Sequence, residues 1–173
     1  MDKEEVKELY LEYHQDVFNF LVYLSSHLDV EDLLQEVFIK LYKSHYQLDH
    51  IHNPKSLLFT IARHVVIDHQ RKKKFMSLVS IDRLYDIASE ESGPPEKLEI
   101  KEEAKEIFRL LDTLKREYRE VIVLRKIQGF SVEKTAVILG WKESKVKITL
   151  HRAIKKLMAS VQKEEGIWYE KES

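Results

Sequence analysis

Apolar residues recur three and four positions apart along most of this chain, and that spacing limits its fold more than any other feature. Such spacing gives a helix one apolar face. Only four glycines and three prolines interrupt the 173 residues, and no alternating apolar run is flanked by turn signals. We therefore predict an all-α protein. Its 43% hydrophobic content is enough for the core of one ordinary domain or two small ones.

Residues 1–75 contain three amphipathic segments, which predict a bundle of three to four helices. Asp29 precedes the second segment as an N-cap, and Asn53 followed by Pro54 marks the start of the third. The apolar face of the first segment consists of Val6, Leu9, Tyr10, Tyr13, Val17, Phe20, Leu21 and Leu24. The predicted core residues of the other two are Leu34, Val37, Phe38, Leu41, Leu58, Ile61, Ala62 and Val65.

Residues 76–105 lose this periodicity and contain acidic clusters and the sequence Ser-Gly-Pro-Pro, so we interpret them as a flexible acidic linker. Residues 106–162 predict a second, four-helix domain that contains Ile107, Leu110 and Leu111 in its first helix, and residues 163–173 form a short tail. Ser131 and Gly140 bracket the third of these helices as N-cap and left-handed C-terminal turn. A helix with Val146, Leu150, Ala153, Ile154 and Leu157 inward follows, giving a helix-turn-helix pattern.

Charge is distributed unevenly, although the formal net charge is only −1. Residues 106–162 carry 13 basic and 6 acidic groups, whereas residues 1–75 carry 10 and 12. The linker has 4 basic and 8 acidic groups, and the tail has 2 and 4. Nucleic acid responds to the local field, so the +7 domain is a candidate for DNA binding. The alternative is an ordinary helical hairpin with a solvated lysine face.

Several classes of function find no support in the sequence. It has no cysteine, Gly-rich phosphate loop, nucleophile elbow or evident pair of catalytic carboxylates, so we expect no enzyme, no catalytic residue and no cofactor. The charged N-terminus does not resemble a signal peptide, and no apolar stretch approaches eighteen residues. We expect a cytoplasmic protein without membrane insertion.

Histidines in the first domain raise the alternative of a metalloenzyme. His50, His52, His64 and His69 could gather imidazoles, but His64 and His69 are five positions apart, which is poor spacing for a shared helical face. No glutamate accompanies them at a general-base position. We therefore predict no metal site.

A stand-alone helix-turn-helix regulator is the second alternative. Such a protein usually needs a dimer surface to read paired half-sites, and the sequence has no heptad stripe that would supply one. It would also bind duplex DNA tightly without a partner.

Three segments in this order give the chain a family resemblance: EDLLQEVFIKLYKSH, LLFTIARHVVIDHQRKK and LKREYREVIVLRKIQGFSVEKTAVILGWKESKVKITLHRAIKKL. The chain resembles bacterial extracytoplasmic-function (ECF, group IV, sigma-70 family) sigma factors that contain regions 2 and 4 only. The resemblance implies binding to core RNA polymerase, direction of the polymerase to promoters, assistance in promoter opening and control by an anti-sigma factor.

The resemblance also assigns residues to surfaces. Contact with core polymerase, at the clamp of the largest subunit, falls to Asp32, Leu33, Gln35, Glu36, Phe38 and Lys40, and the flap of the second-largest subunit is a further partner. Binding of the minus-10 element falls to Tyr46, His50, His52, Asn53, Lys55, Arg63, His64, Asp68, Arg71 and Lys72. Binding of the minus-35 element falls to Lys145, Lys147, Ile148, Thr149, His151, Arg152 and Lys155.

Two departures from the family pattern affect DNA reading. His64 and Leu57 stand where many members have Asn and Trp, so no minus-10 base preference is carried over. Ile148 and Thr149 replace common Ser and Arg, which predicts partly apolar minus-35 contacts. The family's linker threads towards the polymerase active centre and RNA exit path; simple solubility is the alternative role for the acidic residues here.

Overall fold

The computed structural model describes residues 2–25, 29–44, 53–79 and 102–171, and all regular elements within these ranges are helical. The predicted all-α fold class is confirmed. The chain divides into two compact units, Met1–Pro95 and Glu96–Ser173. No helix among the described residues has the length and apolar character needed to cross a bilayer.

The first unit contains α1 (Lys3–Leu24), α2 (Val30–Lys43) and α3 (Pro54–Val79), and each helix packs against the other two. The predicted caps are confirmed: Asp29 Oδ1 accepts from the amides of Glu31 and Asp32 at 3.1 and 3.3 Å. Asn53 Oδ1 accepts from the amide of Ser56 at 2.8 Å. These local bonds satisfy amides that a helix start leaves unpaired, which is why short sequence signals predict them well.

The core of the first unit is broader on α3 than the spacing predicts. Leu58, Ala62 and Val65 are buried as expected, but Ile61 is only half-buried. Phe59, Val66 and Ile67 are buried in addition, and the rings of Phe59 and Phe20 lie 4.7 Å apart. Both α1 and α2 pack against α3, so α3 buries two adjacent rows of side chains rather than one.

The second unit contains α4 (Glu102–Asp112), α5 (Arg116–Ile122), α6 (Val132–Leu139) and α7 (Glu143–Lys171). Helix α7 packs against α4, α5 and α6. A π-helical turn, Val123–Ile127, continues α5, with the Gln128 amide donating to the Val123 carbonyl at 2.8 Å. On α4, Phe108 is buried while the predicted core residue Ile107 is 43% exposed, so the core face is rotated by one position.

The turn between α6 and α7 has the predicted chemistry. Ser131 Oγ accepts from the Lys134 amide at 3.1 Å, and Gly140 has φ of +66°. The Trp141 amide donates to the Ala136 carbonyl at 2.9 Å. This pattern closes the helix end with a left-handed residue, as the position of Gly140 predicts. The helix-turn-helix therefore consists of α6 and the start of α7.

Three helix ends differ from the predicted segment bounds. Helix α3 continues to Val79, α4 begins at Glu102 and α7 continues to Lys171. No glycine or proline interrupts residues 75–79, so nothing in the local sequence stops α3 at the predicted boundary. The predicted linker therefore overlaps a helix at each end, and its middle, residues 80–101, lies outside the described residues.

Candidate functional site

Burial separates the predicted polymerase-contact residues on α2 into two groups. Asp32 and Gln35 are exposed, while Leu33 and Phe38 are core residues that are 1% and 7% exposed. The prediction that Leu33 and Phe38 contact a partner is therefore corrected. Because α1 and α3 both pack on α2, its buried face is wide enough to include them, and they hold the helix in place from inside.

The other two predicted contact residues of α2 are bonded to α3. Lys40 Nζ lies 3.1 Å from Glu36 Oε1 and 3.4 Å from Asp68 Oδ2. His69 Nε2 lies 2.6 Å from Glu36 Oε2. Burial acts to raise the pKa of Glu36, but hydrogen bonds from His69 and Lys40 outweigh it, so the pKa of that carboxyl lies below its ordinary value. We call these four residues the α2–α3 polar network.

An exposed row on α2 includes two residues that the sequence did not reveal. Asp32, Gln35, Ile39 and Tyr42 follow one another at spacings of three, four and three, which places them on one side of the helix. Ile39 and Tyr42 are 49% and 53% exposed. Both side chains lie on the side of α2 opposite its buried residues. Their helical spacing relative to the predicted core residues could have shown this from the sequence. We call this row the α2 outer face.

Helix α3 brings together some of the predicted minus-10 residues. His64, Arg71 and Lys72 are exposed, Arg63 is half-buried and Asp68 belongs to the polar network. Near the start of the helix, Asn53 caps it, and Lys55 Nζ lies 2.6 Å from Asp16 Oδ2 on α1. The predicted contacts Tyr46, His50 and His52 lie outside the described residues.

The C-terminal part of α3 is exposed and mixed in character. Arg71 and Lys72 belong to a run of four cations, which is followed by three large apolar side chains. Phe75, Met76 and Leu78 are 67%, 68% and 70% exposed. These apolar residues lie at the boundary of the predicted linker, and the sequence predicted no role for them.

The predicted minus-35 residues lie on α7. Lys145, Lys147, Ile148, His151, Arg152 and Lys155 are exposed, and Ile148 reaches 53%. Thr149 is only 8% exposed, so the prediction that it lies on the exposed side of α7 is corrected. It lies three positions after Val146 and four before Ala153, both fully buried, and therefore belongs to the inward row.

A cleft of about 380 Å³ lies between the start of α5 and the first turns of α7. We call it the α5–α7 cleft; it is lined by Lys115, Glu117, Tyr118, Ser144, Lys145, Ile148, Thr149 and Arg152. Lys145 Nζ lies 4.0 Å from the ring centre of Trp141, and Lys115 Nζ lies 4.4 Å from that of Tyr118. Three cations line a concave surface, an arrangement suited to an anion. Lys115 and Lys145 are thirty positions apart, so the sequence did not predict that they lie close together.

The histidines do not form a metal centre within the parts of the chain that the structure describes. There, no three His, Cys, Asp or Glu side chains are arranged to hold an ion. His69 bonds to Glu36, while His64 is exposed to solvent. His50 and His52 lie outside those parts.

The chain is similar in sequence to proteins of a known family. Residues 9–75 match the model of sigma-70 region 2, and residues 104–157 match that of sigma-70, region 4. The chain is 39% identical over 160 residues to the ECF RNA polymerase sigma factor SigX of Bacillus subtilis (strain 168), covering 90% of this chain and 82% of SigX. It is 31% identical over 170 residues to the RNA polymerase sigma factor YlaC of the same organism, covering 95% and 98%.

A solved structure shows the same relationship. The sigma factor RpoE in complex with the anti-sigma factor NepR from Bartonella quintana is 26% identical, with a TM-score of 0.77, and the match covers 92% of this chain and 98% of that one. The two sigma-70 regions match in the predicted order, and the similarity to SigX extends over most of both chains. The resemblance is thereby confirmed: the chain belongs to the ECF family of RNA polymerase sigma factors.

Proposed function

We propose that this sigma factor binds core RNA polymerase through residues 1–75 and, together with residues 106–162, directs it to promoters and assists their opening. The observation that supports this most directly is the presence of both sigma-70 regions in one chain, each within its own helical unit. Residues 76–105 connect the two functions, and residues 163–173 follow them. The protein acts in the cytoplasm by binding rather than by catalysis, and it needs no cofactor.

Polymerase docking is assigned to the α2 outer face. Asp32 and Gln35 supply exposed polar groups, while Ile39 and Tyr42 supply apolar area that remains exposed in the free chain. Aromatic and apolar groups inside a polar surround are typical of energetically important interface residues. We propose that this face meets the clamp of the largest polymerase subunit and that the second unit meets the flap of the second-largest subunit.

Minus-10 DNA is assigned to the exposed side of α3. His64, Arg71 and Lys72 offer hydrogen-bond donors and positive charge to a separated strand. Tyr46, His50 and His52 are proposed to hold unstacked bases by stacking and edge hydrogen bonds, as single-strand binding proteins do. Arg63 and Asp68 lie beside this side of α3, and Asn53 and Lys55 lie at the start of the helix; we include all four in the proposed surface.

Minus-35 DNA is assigned to the exposed side of α7. Lys147, His151 and Arg152 are placed to meet phosphates or base edges in a major groove, and Ile148 offers an apolar contact for a thymine methyl group. Lys145 and Lys155 flank these residues and add charge. Thr149 is mostly buried and lines the α5–α7 cleft beside this surface.

Control by an anti-sigma factor is part of the proposal. The similar solved sigma factor RpoE is in complex with the anti-sigma factor NepR. We propose that a partner of this class covers the polymerase and DNA surfaces of the present chain and keeps it inactive.

The proposal is tested by promoter binding and transcription with the protein alone, core polymerase alone and both together. Genomic fragments recovered from the source organism with the reconstituted holoenzyme serve as templates. We expect specific binding and transcripts only when both components are present. Tight sequence-specific duplex binding by the protein alone, with no gain from core polymerase, would instead support a stand-alone helix-turn-helix regulator.

Variants of α7 test the minus-35 surface. Replacing Lys147 or Arg152 by Ala should reduce transcription only from promoters that need the minus-35 element, while Arg109→Ala on α4 serves as the control.

Variants of α2 test the polymerase surface. Replacing Ile39 by Ser should weaken the complex with core polymerase, while Leu11→Ser on α1, also an exposed apolar position, should not. Equal effects of Ile39→Ser and Leu11→Ser would contradict the assignment of the α2 outer face.

A further inference from the structure

One acidic side chain lies among the cations of the α5–α7 cleft. Glu117 Oε1 is 3.5 Å from Lys145 Nζ, and Glu117 Oε2 is 3.9 Å from Lys115 Nζ. Each carboxylate oxygen therefore faces a lysine from a different part of the unit, one at the start of α5 and one on α7. The Glu117 carboxylate thus bridges the lysines on the two sides of the cleft.

The two lysines are positioned by aromatic rings as well as by this carboxylate. Lys145 lies over Trp141 and Lys115 lies over Tyr118, both at distances typical of cation–π contacts. These contacts do not involve Glu117, so they can hold both ammonium groups towards the cleft when another anion replaces the carboxylate. A phosphate group offers the same kind of acceptor oxygens as a carboxylate.

The location of the cleft indicates which phosphate it would meet. Lys145, Ile148 and Arg152 line the cleft and also belong to the proposed minus-35 surface of α7. When DNA binds to that surface, its sugar-phosphate backbone lies beside the edge of α7. Contacts to backbone phosphates at such an edge fix the position of the protein on the duplex.

We propose that the α5–α7 cleft binds one backbone phosphate of the minus-35 duplex and that Glu117 occupies the phosphate position in the free protein as an internal counter-ion. This inference rests on the proposed function of the second unit and adds Lys115 to its DNA contacts. Binding must separate Glu117 from Lys115 and Lys145 before the phosphate can engage them. Glu117 therefore lowers the affinity of the sigma factor for duplex DNA.

A purely structural role for Glu117 makes a different prediction. Glu117 lies in the first turn of α5, where a negative charge is favourable to the helix dipole. If that were its only role, Glu117→Gln would lower the stability of the unit and leave DNA affinity unchanged. DNA affinity and its salt dependence thus distinguish the two roles.

The test uses reconstituted holoenzyme and a recovered promoter fragment, with the same fragment carrying a scrambled minus-35 element as reference. Glu117→Gln, Lys115→Gln and the control Glu106→Gln, an exposed acidic residue of α4 outside the cleft, are compared with the wild type. Dissociation constants are measured at several salt concentrations. Circular dichroism establishes that each variant is folded.

We expect Glu117→Gln to tighten binding of the intact fragment roughly two- to fivefold, as release of weak exposed ion pairs predicts. The plot of log affinity against log salt should become steeper by about one unit, whereas Lys115→Gln should make it shallower by about one. Glu106→Gln should match the wild type.

Unchanged or weaker binding by Glu117→Gln overturns the inference, and so does an equal gain by Glu106→Gln, which would indicate a general effect of net charge. Unchanged binding by Lys115→Gln overturns the phosphate assignment. If the wild-type holoenzyme does not distinguish the intact fragment from the scrambled one, the proposed function of the second unit fails and the inference fails with it.

Discussion

Arg119 joins the end of α4 to α5 through several polar contacts. Its Nε donates to the Leu111 carbonyl at 3.0 Å, and its Nη2 donates to the Asp112 carbonyl at 2.9 Å. Nη2 also lies 2.8 Å from Asp112 Oδ1, and the two side chains are only 11% and 16% exposed. One guanidinium therefore satisfies carbonyls that the helix end leaves unpaired and pairs with a largely buried carboxylate.

Replacing Arg119 by Met should destabilise the second unit by about 2 to 4 kcal/mol, because it removes hydrogen bonds to two carbonyls and the ion pair with the largely buried Asp112 carboxylate. Both tryptophans of the chain, Trp141 and Trp168, belong to this unit, so urea unfolding followed by tryptophan fluorescence reports on it. Arg109→Met, at an exposed position of α4, should change the free energy of unfolding by less than about 0.5 kcal/mol. Equal losses in the two variants would contradict a special role for Arg119.

Glu36 gives the first unit a defined acid sensitivity. Its pKa is lower in the folded chain than the ordinary value of 4.5, so the unfolded chain binds more protons just below pH 4.5. The stabilisation from the carboxylate is therefore fully present above that pH and is lost as the pH falls through the folded pKa. Glu36→Gln should be less stable than the wild type near neutral pH, and the difference should shrink in acid.

Thermal unfolding of both proteins at a series of pH values, followed by circular dichroism, measures that difference. Glu8→Gln, at an exposed position of α1, is the control and should track the wild type closely. A gap between Glu36→Gln and the wild type that is constant from neutral pH down to about pH 3 would mean that protonation of Glu36 does not govern the loss.

At the level of helices, the sequence predicts caps better than faces. Asp29, Asn53 and Ser131 cap helices where expected, because each cap depends on bonds to amides within three positions. Leu33 and Thr149 were assigned to exposed surfaces but are buried. Their burial depends on how many helices pack against α2 and α7. The spacing of apolar residues along a single helix does not predict how many neighbours that helix has.

In the candidate site, too, features within one helix could be predicted, whereas features that depend on packing between helices could not. The exposed lysines and arginine of α7 follow from spacing within one helix and could be predicted. The α5–α7 cleft could not, because Lys115 meets Lys145 only after α5 packs against α7. Ile39 and Tyr42 were missed for a different reason: the predicted contact face of α2 was drawn mainly from polar residues, and these two apolar residues were assigned neither to it nor to the core.

The turn between α6 and α7 depends on the backbone conformation of Gly140. An added Cβ at this position meets no atom within 4 Å, so substitution costs only the left-handed φ of +66°. Gly140→Ala should destabilise the second unit by about 1 kcal/mol, and Gly140→Asn should cost less because Asn tolerates this conformation better. Thermal unfolding followed by tryptophan fluorescence measures both. Equal losses would indicate that φ is not the cause.

For the whole molecule, the net charge of −1 hides two opposite parts. Residues 106–162 carry 13 basic and 6 acidic groups, and the remaining segments are acidic on balance. This distribution is consistent with the proposed function. When both units are bound to polymerase, each contacts its own promoter element, so neither unit needs to bind DNA tightly by itself. Two modest contacts that are held together gain affinity through effective concentration rather than through new bonds.

The α2–α3 polar network has a consequence for how the two proposed partners influence each other. Lys40 belongs to the helix assigned to polymerase, and Asp68 belongs to the helix assigned to DNA, yet they share one ion pair. If both partners bind one arrangement of this pair better than another, linkage requires each partner to change the affinity of the other by the same factor. Asp68→Asn, a change on the DNA side, should therefore alter the measured affinity for core polymerase in the absence of any DNA.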